Sequence, residues 1–269
     1  MIYYKTAEEI ELIRESSLLV SKTLAFIAAN LKVGIAANRI DIEAETFIRD
    51  NGGVPAFKGY RGFPATLCMS FNDAVVHGIP SDKEFLETDI ISVDCGVVLN
   101  GFYGDSAYTF AFNNTSEEVH NLLRITRSSL NIGIEEAVVG NRIGDISFAI
   151  QNYCERKHGY GVVRELVGHG VGRSLHEEPE VPNFGQKGRG PLLKEGLVIA
   201  IEPMINLGSR NVKQMDDGWT ILTRDGKPSA HYEHTIAVRK NGPDILSDHS
   251  IIDIEVKNNP EIMDLSINC

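Results

Sequence analysis

Apolar residues recur at helical spacing through "TAEEIELIRESSLLVSKTLAFIAANL", which opens at Thr6, and they predict an amphipathic helix. Thr6 and Glu9 stand in the Thr-x-x-Glu arrangement of a capping box, so the helix is expected to start there. The same pattern returns in "TSEEVHNLLRITRSS", 109 residues later at Thr115. A second pair of amphipathic segments opens at "NRIDI" (Asn38) and "NRIGDI" (Asn141) and stops at the glycines of "RDNGG" and "RKHGYG". Two β-branched runs follow, "ETDIISVD" ending on Asp94 and "EGLVIAIE" ending on Glu202, 108 residues apart. Both read as buried strands.

Capping boxes are common, so coincidence is the bland explanation of these echoes. Two nearly identical offsets, for the first helices and for the strands, with an acid closing each strand, favour an internal duplication. The expected class is α/β, of the α+β type. One domain spans 1–269, with halves at roughly 5–113 and 114–240 and a C-terminal extension at 241–269. Strands of both halves should pair into one sheet with helices outside.

The segment "DIISVDCGVVLNGFYGDSAYTF" carries Asn100-Gly101, the strongest short hairpin signal, because both turn residues accept positive φ. A two-residue turn sets Leu99 opposite Phe102, Asp94 opposite Ala107 and Asp105 opposite Gly96. The two aspartates then share a face as diagonal neighbours, with small Gly96 and Ala107 leaving room for a ligand. One acid on a strand is readily explained as facing solvent; two on one face of a hairpin favour a metal. Glu202 adds a third, and Glu233 a fourth in "AHYEHTIAV", which alternates as a half-buried strand does. No basic residue stands near them in sequence, and buried acids without partners are costly.

Charge and cysteine usage narrow the class. A net charge of −11 argues against nucleic-acid binding, which needs clustered Lys and Arg. The four cysteines, Cys68, Cys95, Cys154 and Cys269, form no CxxC and read as reduced thiols. The N-terminus is amphipathic rather than signal-like, and "SLLVSKTLAFIAANL" is too short to span a bilayer, so the expectation is a cytoplasmic chain with no membrane partner.

Two histidines, His169 and His176, lie in the glycine-rich passage "RELVGHGVGRSLHEEP". The dinucleotide reading fails, since Arg173 replaces the last glycine of G-x-G-x-x-G and Pro179 and Pro182 arrive too soon for a long helix. The phosphate-loop, HExxH and G-x-S-x-G patterns are absent. A lone histidine is more often structural. Here, however, "VVRELVGHG" reads as a strand up to His169, with flanking glycines that let backbone and ligand approach closely. A histidine beside four carboxylates suits a pair of divalent transition ions better than magnesium. His77 ends a comparable run in the first half, "AVVHGIP".

The ordered set Asp94, Asp105, His169, Glu202 and Glu233, with His77 and His176, resembles the pita-bread metallopeptidases, most closely the type I methionine aminopeptidases. The segments "VVHGIP", "VDCGVVLNGFYGDSAYTF", "GHGVGRSLHEEPEVPNF", "EGLVIAIEPMI" and "DDGWTILTRDGKPSAHYEHTIAV" carry the resemblance over nearly the whole chain. It implies two related halves around a central, curved, mostly antiparallel sheet. It also implies two divalent ions (Mn, Fe, Co or Zn): Asp94 on one, His169 and Glu202 on the other, Asp105 and Glu233 bridging. Glu202 would move the proton of the attacking water. His176 would donate to the developing oxyanion, and His77 would contact the nitrogen after the scissile bond.

By the same resemblance, Tyr60, Phe63, Cys68 and Trp219 form the methionine pocket. Trp219 and Cys68 also have an ordinary reading as core. Phe57 stands where cysteine is frequent in the bacterial pattern and Leu175 where phenylalanine is; both are expected at the pocket rim. Backbone oxygens at Asn72, Ala74 and Ser229 match a monovalent-cation site of the family. The implied activity is removal of the initiator methionine before a small second residue. The substrates are nascent N-terminal Met peptides near the ribosome, the enzyme is a monomer, and no nucleic acid is bound directly.

Two rivals remain. A proline-specific (Xaa-Pro) aminopeptidase of the same fold usually carries an extra N-terminal domain, for which a first helix at about residue 7 leaves no room. A metal-free binding module would have lost ligands, and all five are present. The helical insertion of type II enzymes does not fit in the 31 residues from Glu202 to Glu233.

Overall fold

The computed structural model describes residues 1–265, so Cys269 and the end of the 241–269 extension lie outside the described residues. Cys68, Cys95 and Cys154 are free and buried. Helix α1 (Ala7–Asn30) starts at the expected capping box: Glu9 N donates to Thr6 Oγ1 at 3.2 Å and Thr6 N to Glu9 Oε2 at 3.1 Å. Its counterpart α3 (Glu117–Glu135) is capped one residue later than Thr115, by Ser116, whose hydroxyl accepts from Val119 N. Thr115 is diverted to Phe112 O and His120 Nε2, both at 2.8 Å. Helix α2 (Ala37–Asp50) ends at Gly52, φ 80°. Helix α4 (Ile143–Gln151) runs on as a π-helical stretch over Asn152–Lys157 before Gly159, φ 74°. Both stops use the left-handed backbone that glycine adopts without strain.

The first half supplies β1 (Val54–Pro55), β2 (Leu67–Phe71), β3 (Ala74–Val76), β4 (Ile90–Leu99) and β5 (Phe102–Ala111). The second supplies β6 (Gly161–Val162), β7 (Gly168–Gly170), β8 (Glu177–Val181), β9 (Val198–Ile201) and β10 (Met204–Asn206). It continues with β11 (Val212–Gln214), β12 (Ile221–Thr223), β13 (Ser229–His231), β14 (His234–Arg239) and β15 (Gly242–Ile245), and then α5 (Ser250–Asn258). Every ladder among the described residues is antiparallel.

The sheet is built in sections rather than as one unbroken ladder. Strands β1, β2 and β5 all pair with β4, and a second section runs β15-β14-β9-β7-β8. Two short sections, β13-β10-β6 and β11-β12-β3, flank them. The halves meet along a seam between β5 and the β13–β14 segment. Glu233 N donates to Ala107 O at 3.0 Å, Thr109 Oγ1 to His231 O at 2.7 Å and Thr235 Oγ1 to Asp105 O at 2.8 Å. Side-chain hydroxyls thus do along the seam part of what ladder bonds do within a section. Helix α1 lies directly on the hairpin, for a Cβ at Gly104 would fall 2.4 Å from Ser17 N. Its buried Ile10, Ile13, Val20, Leu24 and Ile27 face that sheet and α5, each worth about 1.5–3 kcal/mol in apolar burial.

Two expected strands are broken. "VVRELVGHG" pairs only at Gly161–Val162 and Gly168–Gly170, and the stretch between turns Glu165, Leu166 and Val167 into a cavity wall. "AHYEHTIAV" divides at Tyr232–Glu233, because β13 pairs with β10 while β14 pairs with β9 and β15.

Candidate metal centre

The Asn100-Gly101 turn fixes the register that the sequence implies: Asp94 pairs with Ala107 and Gly96 with Asp105, along ten consecutive β4–β5 pairs. Both aspartates therefore point to one face. Opposite them, His169 rises from β7, Glu202 follows the last residue of β9, and Glu233 sits in the break between β13 and β14. One ligand atom each from Asp105, His169 and Glu233 lies within 4.8 Å of the others. His169 Nε2 is 3.5 Å from Glu202 Oε1 and 3.8 Å from Asp105 Oδ2.

The local sequence explains how β7 reaches this point. A Cβ at Gly168 would meet Ala200 O at 2.4 Å, and one at Gly170 would meet Glu178 O at 2.5 Å. The flanking glycines thus serve close approach of β9 and β8. Gly96 is likewise occupied: a Cβ there would fall 2.6 Å from the Phe57 ring. The space read in the sequence as room for a metal is filled by an aromatic side chain.

Electrostatics fit cations. Burial pushes the Asp94 carboxyl up to about 7. Burial, then the charges of Glu233 and Asp94, raise Asp105. Glu202 is raised by burial, then by Asp94 and Asp105; Glu233 is raised by burial, then by Glu202 and Asp94. Asp94 Oδ1, Asp105 Oδ1 and Glu233 Oε1 are buried without a hydrogen-bond partner, a state that costs free energy unless something positive meets them. Among the described residues, the side-chain cations within 4 Å of these acids are histidines alone. Burial lowers His169 to about 4, so the ring is neutral. Its Nδ1 lies 3.0 Å from Gly170 O; the proton belongs there, and Nε2 offers a lone pair to the acids. Four carboxylates and a neutral imidazole are a donor set that two divalent cations would neutralise.

His77, His176 and the expected methionine-pocket residues line the same cavity, of about 300 Å³, whereas Asn72, Ala74 and Ser229 do not. His77 follows β3 in left-handed backbone, φ 57°, a strained conformation costing about 1–3 kcal/mol for a non-glycine residue. The His176 ring lies tilted against the His169 ring, centroids 4.3 Å apart, and its Nδ1 shares a 2.8 Å hydrogen bond with Tyr60 OH. Phe63 meets Trp219 edge-to-face at 5.1 Å, with Cys68 and Tyr60 in the same apolar cluster. Phe57 and Leu175, expected at the rim, are instead 7% and 2% exposed in that cluster's wall.

Sequence reasoning missed His231. It is fully buried on β13, both ring nitrogens lack partners, and Nε2 stands 3.8 Å from Glu202 Oε2. The signal lay in "AHYEH", where His231 and Glu233 share a strand face if the strand is unbroken. Asn183 was also passed over; its Nδ2 donates to Glu202 O at 2.9 Å.

Comparisons with known proteins agree with this geometry. The chain is 52% identical to a methionine aminopeptidase of Clostridium perfringens, over 92% of this chain and 99% of that protein. It superposes on the crystal structure of methionine aminopeptidase from Rickettsia prowazekii with a TM-score of 0.90 at 38% identity, covering 92% of this chain and 100% of that one. A prolidase from Pyrococcus horikoshii shares the fold alone, with a TM-score of 0.73 at 24% identity and 63% of its length covered, against 91% of this chain. The sequence profile of metallopeptidase family M24 matches residues 11–240. With that match over most of its length and relatives this similar, the chain belongs to metallopeptidase family M24.

Proposed function

We propose that this chain is an aminopeptidase that removes the initiator methionine from peptides whose second residue is small, acting as one catalytic domain. The observation that carries the two-ion form of this reading is the set of buried carboxylate oxygens of Asp94, Asp105 and Glu233, left without partners around a neutral His169. Asp94 would hold one ion, His169 and Glu202 the other, and Asp105 and Glu233 both. The donor set admits Mn, Fe, Co or Zn. Such ions, when bound, would lower the pKa of water so that it attacks near neutral pH, and would polarise the peptide carbonyl.

The chain's own groups supply the rest. Glu202 takes the proton of the attacking water and passes it to the leaving amine. Although His176 stays solvent-exposed, partial desolvation, then the neighbouring His169, lowers its pKa below the ordinary imidazole value and keeps it neutral. With Tyr60 OH donating to Nδ1, the ring proton sits on Nε2, free to donate to the carbonyl oxygen as charge develops there. Tyr60 therefore orients His176 besides walling the pocket. His77 contacts the nitrogen of the second residue. The Phe63–Trp219 pair, with Cys68, offers a soft apolar wall that suits a thioether.

Among the described residues, no helix is long and apolar enough to cross a membrane. We place the enzyme in the cytoplasm as a monomer acting on nascent chains near the ribosome, in keeping with its charge and cysteine usage. The test is cleavage of Met-Ala-Ser against Ala-Pro-Ser by metal-stripped protein with each divalent ion added back, together with the number of ions bound. Release of methionine restored by the metal, at two ions per chain, supports the reading. Cleavage only before proline moves the case to the Xaa-Pro rival, and protein that binds no ion moves it to a binding module.

A further inference from the structure

Alternation along a strand gives the metal centre a rear side. Asp105 and Glu233 point into the cavity, and their chain neighbours Ser106 and His234 point the other way. There they meet a segment beyond residue 240, where the family match ends. His249 Nε2 lies 3.1 Å from Ser106 Oγ, and Ser247 Oγ lies 2.7 Å from His234 Nδ1. The His234 and His249 rings lie tilted against each other with centroids 3.7 Å apart. Ser106, His234, Ser247 and His249 are all buried.

The hydrogen bonds here have a direction. Ser106 Oγ donates to Glu233 O at 2.6 Å. A hydroxyl has one hydrogen, so toward His249 the same oxygen accepts, and His249 Nε2 carries the proton. On the other side of the seam, Thr235 Oγ1 donates to Asp105 O at 2.8 Å. The backbones of Asp105 and Glu233 are thus stitched to each other through their neighbours, beside the Glu233 N bond to Ala107 O, and His249 holds the stitch made by Ser106.

The segment that delivers His249 is itself fixed. Leu246 N donates to Thr235 O at 2.9 Å and Asp248 N to Ser21 Oγ at 2.8 Å. Asp253, on α5, takes Arg127 in a two-pronged pair at 2.9 and 2.5 Å and accepts from Tyr108 OH at 2.8 Å. Asn259 Nδ2 closes the last turn of α1, donating to Ala28 O and Leu31 O.

We propose that residues 246–249 form a back plate for the metal centre, and that His249 is a positioning residue. By donating to Ser106 Oγ it fixes the separation of Asp105 and Glu233, and so the fit of the site to its second ion. The inference rests on the two-ion reading above.

The test titrates metal-stripped, full-length protein with Co2+ and follows heat and the visible spectrum, beside the melting temperature of the metal-free form. H249A should weaken the less tightly held ion by about tenfold or more, the usual effect of losing an outer hydrogen bond at a metal site, and should alter the cobalt spectrum. H249Q, whose amide reaches a similar place, should restore both. D253N, which weakens the α5 anchor far from the ligands, should lower the melting temperature without changing cobalt affinity. Should H249A not fold, S247A takes its place with the same direction of change expected. Wild-type affinity for both ions in H249A, no rescue by H249Q, or an equal loss of affinity in D253N overturns the back plate alone. Wild-type protein that takes up no cobalt overturns the two-ion reading and the back plate with it.

Discussion

His169 presents Nε2 to Glu202 at 3.5 Å while Gly170 O holds its Nδ1 at 3.0 Å. The strand neighbours β7 and β9 therefore face each other with a lone pair against an acid, a donor arrangement suited to a cation. Two strands from one half and the β4–β5 hairpin from the other converge on that gap. Losing a group that serves both ions should be the most damaging change. Asp105→Ala is expected to abolish peptide cleavage and to reduce bound metal below two ions per chain. Metal analysis beside kcat/KM checks it. Activity within about tenfold of wild type, under 1.4 kcal/mol of barrier, with both ions retained would remove Asp105 from the bridging role.

His176→Ala should separate binding from chemistry. The ring touches His169 and Tyr60 but is assigned to no ion. Both metals should stay, while kcat falls by about 10²–10³, the ordinary cost of one oxyanion donor. Tyr60→Phe should fall the same way by less, since it removes only the group that sets the His176 tautomer. A drop in metal content with H176A would make His176 a ligand.

The hairpin and its two aspartates were legible because an Asn-Gly turn fixes every downstream pair, and strand alternation then fixes the face. Glu233 was found for a less secure reason. Its stretch alternates like one strand, yet the acid occupies the point where the chain passes from one sheet section to another, and no local pattern announces that crossing. His231 and His249 stayed hidden because a histidine in an apolar strand or after a loop looks the same whether it is core or contact. Gly96 and the glycines around His169 were read as room for a ligand. Only packing shows that Phe57, β8 and β9 fill those spaces.

That filling yields a prediction of its own. Gly96→Ala places a methyl 2.6 Å from the Phe57 ring and 3.0 Å from Ala56 Cβ, so Phe57 must move into the cavity. Overpacking of this kind costs about 1–3 kcal/mol of stability. KM for methionine peptides should rise with kcat and metal content little changed. Unchanged KM would separate Phe57 from the methionine pocket.

Metal-free protein should lose stability as pH rises from about 6.5 to 8. Burial holds the pKa values of Asp94, Asp105, Glu202 and Glu233 above their unfolded values, Asp94 at about 7, and repulsion from neighbouring acids adds to it at Asp105, Glu202 and Glu233. The folded state therefore keeps protons that the unfolded state has released. Stability from these groups is present at low pH and lost as pH climbs through the folded pKa. The histidines act oppositely: buried His169, at about 4, and the more exposed His176, whose pKa is also lowered, destabilise below the unfolded value near 6.5 and have no further effect above it. Above 6.5 the carboxylates alone set the slope. Melting curves with chelator should fall across that window, and a saturating divalent ion should flatten them. A flat curve without metal would mean the acids are not crowded as described.

The second residue of the substrate gives the sharpest test of the two cavity histidines. His77 is held in left-handed backbone at the end of β3, and His176 is fixed by Tyr60. In the assigned roles one ring touches the nitrogen after the scissile bond and the other touches its carbonyl oxygen. With the rings held in these places, a bulky second side chain would displace the peptide. A shift of about 1 Å from the reacting position costs on the order of 10² in rate. In a series Met-X-Ser-Lys, kcat/KM should be high for X = Gly, Ala, Ser, Thr, Pro, Val and Cys and negligible for X = Leu. His77→Ala should narrow the gap between Ala and Leu by slowing Ala far more than Leu. If wild-type protein cleaves X = Ala and X = Leu equally well, the two histidines do not flank the bond.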